Sequence, residues 1–227
     1  MISVIIPTYN EALFLQQTID AIHKNDTKKL VSQLIVADGG STDKTLDIAN
    51  ENDVIIVCSK KGRAIQMNAG AALAQSEILF FLHADTFPPL HFSTYIREAV
   101  AKGFGAGCFI LSFDHAHWFL KTNAWFTRFN IDAVRFGDQG LFAEKNIFAK
   151  AGRFSEKLLL AEDQEIIHRL KKYSKFSIIK KPVISSARKY IQHGVYATQF
   201  KFYRLYAMYR LGFSQKKLMA MYSKLFT

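Results

Sequence analysis

Cysteine is nearly absent: the chain of 227 residues holds only Cys58 and Cys108. Both lie in apolar, strand-like surroundings without CxxC spacing, which excludes a disulfide framework or a thiolate zinc site and makes them reduced core residues. No stretch approaches the ~20 apolar residues that a membrane helix requires. The opening MISVIIPTYNEA lacks the basic flank of a secretory signal, so the expected location is the cytoplasm. Neither Gly-x-Gly-x-x-Gly after the first strand nor Gly-x4-Gly-Lys-Ser/Thr occurs, which argues against a dehydrogenase or a P-loop ATPase. No repeat, linker or low-complexity segment breaks the chain.

Acidic residues are also missing from one region. From Ile166 onward there are 14 Lys or Arg and no Asp or Glu, whereas the preceding residues carry 16 basic against 19 acidic side chains. The whole net charge of +11 is therefore C-terminal. A one-sided basic block fits an anionic partner, such as a phospholipid surface, a nucleic acid or a phosphorylated substrate.

What is present is an alternation of short apolar runs and helical patterns. Strands are expected at Ser3–Ile6, Leu34–Ala37, Val54–Val57 and Ile78–Leu82. Helices are expected over Glu11–Ile22, over Lys44–Asn50 with Ser41 or Thr42 as its cap, along GRAIQMNAGAALAQ, and from Pro88–Pro89 to about Ala101. A further strand at Ala106–Phe113, an aromatic helix at Trp118–Phe129 and an amphipathic helix from Glu162 follow. The last segment divides at Gly212 into two helices, with Ser214 as a cap. The polar loops PTYNE, DGGSTD and HAD all follow strand C-termini and so converge on one rim, where open α/β sheets bind ligands. That rim offers Glu11, Asp38, Asp43 and Asp85 beside Arg63, a set suited to a divalent ion holding a diphosphate.

PTYNE, ADGGSTD, GRAIQMNAG, HAD and the later ED, in this order over roughly Ser3–Leu170, together resemble the family 2 glycosyltransferases of GT-A fold. The HAD form and RFGDQGLF are similar to a bacterial subgroup labelled arsenosugar-biosynthesis-type. The resemblance implies an α/β, GT-A-like single domain over residues 1–194, with a mixed, mostly parallel sheet flanked by helices. It implies transfer of a sugar, with inversion, from a UDP- or GDP-linked donor to a hydroxyl acceptor. Pro7, Thr8, Glu11, Asp38, Ser41, Asp43, Arg63 and Asn68 would bind the nucleotide sugar, with Asp38 accepting a nucleobase N–H. Asp85, with His83 in place of a first carboxylate, would hold Mg²⁺ or Mn²⁺, and His193 could reach the same ion. Asp163 would be the general base with Glu162 as fallback, and Asp138 would position the acceptor or the sugar. Gly137 and Gly140 would serve backbone shape. Arg188 and Lys189 would neutralise the leaving diphosphate.

Residues 195–227 form a basic, aromatic helical extension with Phe202, Tyr206, Tyr209 and Phe213 on one stripe. It would pack on the domain, mediate a homodimer, or attach peripherally to an anionic membrane at its inner face; no nucleic-acid partner is expected. A non-catalytic nucleotide-sugar or anionic-surface binding module, and a sugar-phosphate nucleotidyltransferase, are the alternative functions.

Overall fold

The structure, a computed structural model, describes residues 1–135 and 137–226; Phe136 of the FGDQG turn lies outside them. The expected βα alternation is present. Strand β1 (Ile2–Thr8) leads to helix α1 (Leu15–Asn25), β2 (Val31–Asp38) to α2 (Thr45–Asn50), β3 (Ile55–Cys58) to α3 (Arg63–Leu73) and β4 (Ile78–Phe81) through the short β5 (Thr86–Phe87) to α4 (Phe92–Ala101). Then come β6 (Ala106–Phe113), α5 (Trp118–Phe126), β7 (Leu141–Glu144), α6 (Lys145–Lys150), α7 (Glu162–Tyr173) and β8 (Phe176–Ser185). The chain closes with α8 (Arg188–His193), α9 (Val195–Arg210) and α10 (Gln215–Phe226).

One mixed sheet runs β3-β2-β1-β4-β7-β6-β8-β5. The pairs among β1 to β4 are parallel, β7 runs antiparallel to both β4 and β6, and β8 lies parallel to β6. Alternation in the strands splits the core between the two faces. Val4, Ile6 and Phe80 meet Leu15, Ile19 and Ile22 of α1, with Phe92 and Ile96 of α4. Ile5, Leu79 and Phe81 face Ala64, Met67 and Ala71 of α3 and Ile166 and Leu170 of α7. The small residues of α3 let it lie directly on the sheet: a Cβ on Gly70 would fall 2.5 Å from Ile5 Cγ2.

Strand β8 was not anticipated, because Lys180, Lys181 and Pro182 interrupt its apolar pattern. The register with β6 slips at that point, between Phe109 and Ile110. Cys108 is in the core as expected, where burial pushes its thiol up to about 11. Cys58, expected there too, is instead exposed at the end of β3. Of the described helices, none is long and apolar enough to cross a membrane.

Candidate active site

The first two loops are tied together before any ligand arrives. Asn10, in the left-handed region at φ 55°, accepts from the Thr42 N–H through its side chain and donates its own N–H to Ser41 Oγ. Glu11 N–H donates to Thr45 Oγ1 and Ala12 N–H to Asp43 Oδ2. Asp43 also accepts from the Thr45 N–H at the start of α2, whose N-cap position is Lys44, not Ser41 or Thr42 as expected. Burial alone would raise the Asp43 carboxyl, but the bonds from Thr45 and Ala12 hold it below its usual range.

Asp38 is fully buried and accepts from Thr8 Oγ1, Ser41 Oγ and the N–H groups of Gly40 and Ser41. These donors use its lone-pair directions. Asp38, expected to accept a nucleobase N–H, here shapes the turn through these bonds, with Ser41 in the same network. Asn68, expected at the nucleotide sugar, bonds to the loop after α6. Its side chain accepts from the Phe154 N–H and donates to the Phe154 carbonyl, anchoring that loop. Gln66, which the sequence did not single out, donates to the carbonyls of Thr8 and Ala37 and so fixes the start of α3, and with it Arg63, against the ends of β1 and β2.

The HAD turn is held between β4 and β8. Leu82 N–H donates to Ile5 O, Thr86 N–H to His83 O and Ser186 N–H to Asp85 O. Arg188, at the start of α8, donates from both terminal nitrogens to the two oxygens of Glu11 at 2.9 and 2.8 Å. The same guanidinium lies 3.2 Å from Asp85 Oδ2. Arg63 Nε lies 3.0 Å from Glu162 Oε1, an ion pair without hydrogen-bond alignment. Glu162 and Asp163 are both buried at the start of α7, turned inward by Ala161 at φ 66°. A left-handed alanine costs on the order of 1 kcal/mol, and here it aims two acids at one cavity.

Asp163 faces Gly137 and His83. A Cβ at Gly137 would fall 2.2 Å from Asp163 Oδ2 and 2.7 Å from His83 Nε2. Gly137 is therefore required for space and not, as expected, for backbone shape; Gly140, at φ 64°, does serve shape. Burial, then the Glu162 charge, pushes Asp163 up to about 8. Burial and the nearby Asp85 raise Asp138 to about 6. Burial, together with Arg63 and Lys189, lowers His83 to about 3, so its imidazole is neutral near pH 7.

Arg135 braces this acidic loop from behind. It is fully buried, and its guanidinium donates to Gln139 Oε1 at 2.6 Å and to the carbonyl of Phe129. The sequence offered only an Arg in a polar turn, with nothing to separate it from a solvated one.

These groups open into one cavity of about 610 Å³ bounded by Arg63, His83, Asp85, Asp138, Asp163 and Lys189 at one end and by α5, α9 and α10 at the other. Phe202, Tyr206 and Tyr209 of the expected stripe line it, whereas Phe213 is exposed. Among the described residues no three His, Cys, Asp or Glu side chains converge as a metal cluster. His193 is not part of this site: its ring packs edge-on against Phe226, 5.7 Å between centroids. The donors that fit a divalent ion are Asp85 and the neutral His83, whose buried Nε2 has no hydrogen-bond partner. Such a pair suits an ion that completes its shell with ligand oxygens.

The fold is that of solved sugar-nucleotide enzymes. Over 99% of this chain and 69% of the other, it superposes with a TM-score of 0.71 at 16% identity on the mannosyltransferase PcManGT from Pyrobaculum calidifontis, solved with GDP-Man and Mn²⁺. Over 82% and 60% it matches S. aureus TarS, solved with UDP, with a TM-score of 0.68 at 17% identity. In sequence, 92 residues are 40% identical to a PGL/p-HBAD biosynthesis glycosyltransferase of Mycobacterium tuberculosis, covering 37% of this chain and 35% of that one. Glycosyltransferase AglE of Haloferax volcanii is 32% identical over 94 residues, 38% and 31% of the two chains. The matched stretch thus spans about a third of each relative. The family profile described as glycosyl transferase family 2 matches residues 3–149, and the chain belongs to that family.

Proposed function

We propose that this protein transfers a glycosyl group from a nucleoside-diphosphate sugar to a hydroxyl acceptor with inversion, Asp163 acting as general base. One arrangement carries the proposal: a buried carboxylate raised toward neutrality shares a cavity with Arg63, Arg188 and Lys189. A base is most effective with a pKa near the operating pH, and the cations suit the charge that develops on a departing diphosphate. Asp163 removes the acceptor proton as the acceptor oxygen attacks the anomeric carbon. The anomeric C–O bond to the diphosphate breaks, and the nucleoside diphosphate departs with the electron pair. Asp138 borders the same cavity and orients the acceptor or the sugar.

Mg²⁺ or Mn²⁺ would rest on Asp85 and His83 Nε2 and, when bound, supplies further neutralisation of the diphosphate. Arg188 would then exchange its contact with Asp85 for phosphate oxygens. The nucleoside would lie over the ends of β1 and β2, on the loops joined by Asn10, Ser41 and Asp43. UDP and GDP both fit this description.

The test is a thermal-shift panel of UDP, GDP and their sugar conjugates with and without Mn²⁺, followed by product analysis. A ligand at 100 times its dissociation constant stabilises by about 2.7 kcal/mol. Metal-dependent stabilisation by one nucleotide, with release of nucleoside diphosphate from its sugar conjugate, is expected. Release of pyrophosphate, or no shift with any diphosphate, would refute the proposal.

A further inference from the structure

The cavity has a second end that sugar transfer from a nucleotide donor does not by itself explain. Pro7, Thr8, Asp38 and Ser41 are absent from its lining, so the cavity extends from the diphosphate end away from the nucleoside platform. Beyond the carboxylates its walls are Leu111, Phe126, Phe202, Tyr206, Tyr209 and Leu218. These belong to β6, α5, α9 and α10, so the C-terminal helices close the lobe.

Several polar side chains along this lobe already have hydrogen-bond partners. Tyr203 O–H donates to Asn123 Oδ1 at 3.2 Å, Asn123 Nδ2 to Gln199 Oε1 at 3.4 Å, and Tyr190 O–H to the same Gln199 oxygen at 3.0 Å. Lys189 Nζ donates to Tyr222 at 2.8 Å, and Thr127 Oγ1 donates to Ala124 O while accepting from the Leu111 N–H. The lobe therefore meets a ligand with hydrocarbon and aromatic faces. A carbohydrate there would leave most of its hydroxyls facing apolar walls, an arrangement that binding sites avoid.

We infer that the acceptor is an amphiphile, a hydroxyl group carried on a hydrocarbon or alkyl-aromatic body, with the hydroxyl at Asp163 and the body in the lobe between α5, α9 and α10. This rests on the proposed transfer reaction and adds the substrate class. The amphiphile could be a free aglycone or reside in a bilayer; the chemistry of recognition is the same.

The experiment is calorimetric binding of phenol, 4-ethylphenol, 4-butylphenol and 4-octylphenol to the full chain, beside methyl glucoside. Affinity should rise about three- to fourfold per methylene, the fold-change equivalent to ~0.8 kcal/mol per buried CH₂, and exceed 100-fold across the series before levelling. Tyr206→Glu, which sets a carboxylate in the lobe, should flatten that slope; Phe202→Gln does the same if the first variant does not fold. No dependence on chain length, tighter binding of methyl glucoside than of octylphenol, or a slope unchanged in the folded variant would each overturn the inference. Presenting octylphenol in phosphatidylcholine vesicles and following co-sedimentation separates a bilayer source from a dissolved one, and capture from either supports the assignment. Because the readout is binding, it stands apart from the nucleotide panel, which alone decides the transfer reaction.

Discussion

Replacing Gly137 by alanine tests the centre of the proposed mechanism with one methyl group. Gly137 does not lie in the left-handed region, so alanine can adopt its backbone angles and the perturbation is confined to the space in front of the residue. The new Cβ would lie 2.2 Å from Asp163 Oδ2, 2.5 Å from Asp163 Cγ and 2.7 Å from His83 Nε2. Carbon and oxygen do not approach so closely, so the Asp163 carboxylate has to retreat by on the order of 1 Å, a misplacement that costs about 100-fold in rate. Overpacking should lower stability by about 1–3 kcal/mol, with a fall of roughly 2–4 °C in Tm per kcal/mol in a chain of this size. The assay is nucleoside diphosphate release with the sugar nucleotide identified by thermal shift, alongside a circular dichroism melt. If Asp163 is the group displaced, Gly137→Ala should add almost nothing to Asp163→Asn, since residues acting as one unit are non-additive. A folded Gly137→Ala with transfer within threefold of the parent would refute the assignment of Asp163 as base.

The same carboxylate predicts a pH dependence of stability. Asp163 ionises near pH 4 in the unfolded chain but is held up to about 8 in the folded one by burial and Glu162, so stability is lost between those limits as pH rises. Asp163→Asn removes that loss: its Tm should exceed the parent's by about 5 °C or more at pH 8 and converge with it at pH 4, and equal melting curves at pH 8 would contradict the shift. Transfer by the parent should rise with pH toward a plateau above about 8, and Asp163→Asn should reduce it by orders of magnitude while donor affinity stays within a few-fold. Arg188→Gln frees Glu11 and Asp85 and removes a cation from the diphosphate end; donor affinity should fall about tenfold or more by titration calorimetry, reflecting a charge-assisted contact. Arg135→Ala strands Gln139 and the Phe129 carbonyl and should lower stability by about 3 kcal/mol in urea unfolding. Asp38→Asn puts an amide donor among donors and should cost about 1–3 kcal/mol; a neutral result would mean the turn does not depend on the carboxylate.

The parallel half of the sheet could be read from the sequence because each βα unit there carries its own local signals. Apolar runs end in PTYN, DGG and HAD, and the following helices show their own periodicity. The antiparallel half was harder. β8 is disguised by Lys180, Lys181 and Pro182, and β5 is only Thr86–Phe87. For the site, residue type and order pointed to Asp85, Asp163, Arg63 and Arg188, which the structure gathers around one cavity. What the sequence could not supply was competition among partners. Whether Asp38 faces a base or its own turn depends on Thr8, 30 residues away in sequence, and whether His193 meets a metal or a ring depends on Phe226. The functions of Gly137 and Gln66 are matters of clearance and long-range bonding, which leave no local pattern.

The clamp between Glu11 and Arg188 also bears on how the protein is made. It joins residues 177 positions apart, so closing it requires the entire sheet to be in place, whereas β1 to β4 can pair once residue 81 has been made. Such non-local contacts form late and slow folding, and chains of this size acquire structure in stages as they are synthesised. A nascent chain released before Arg188 would have the joined loops after β1 and β2 but neither the clamp nor the closing helices. Fragments left by premature termination should thus be catalytically silent, and the full chain should gain activity in refolding only after its parallel half has acquired hydrogen-exchange protection.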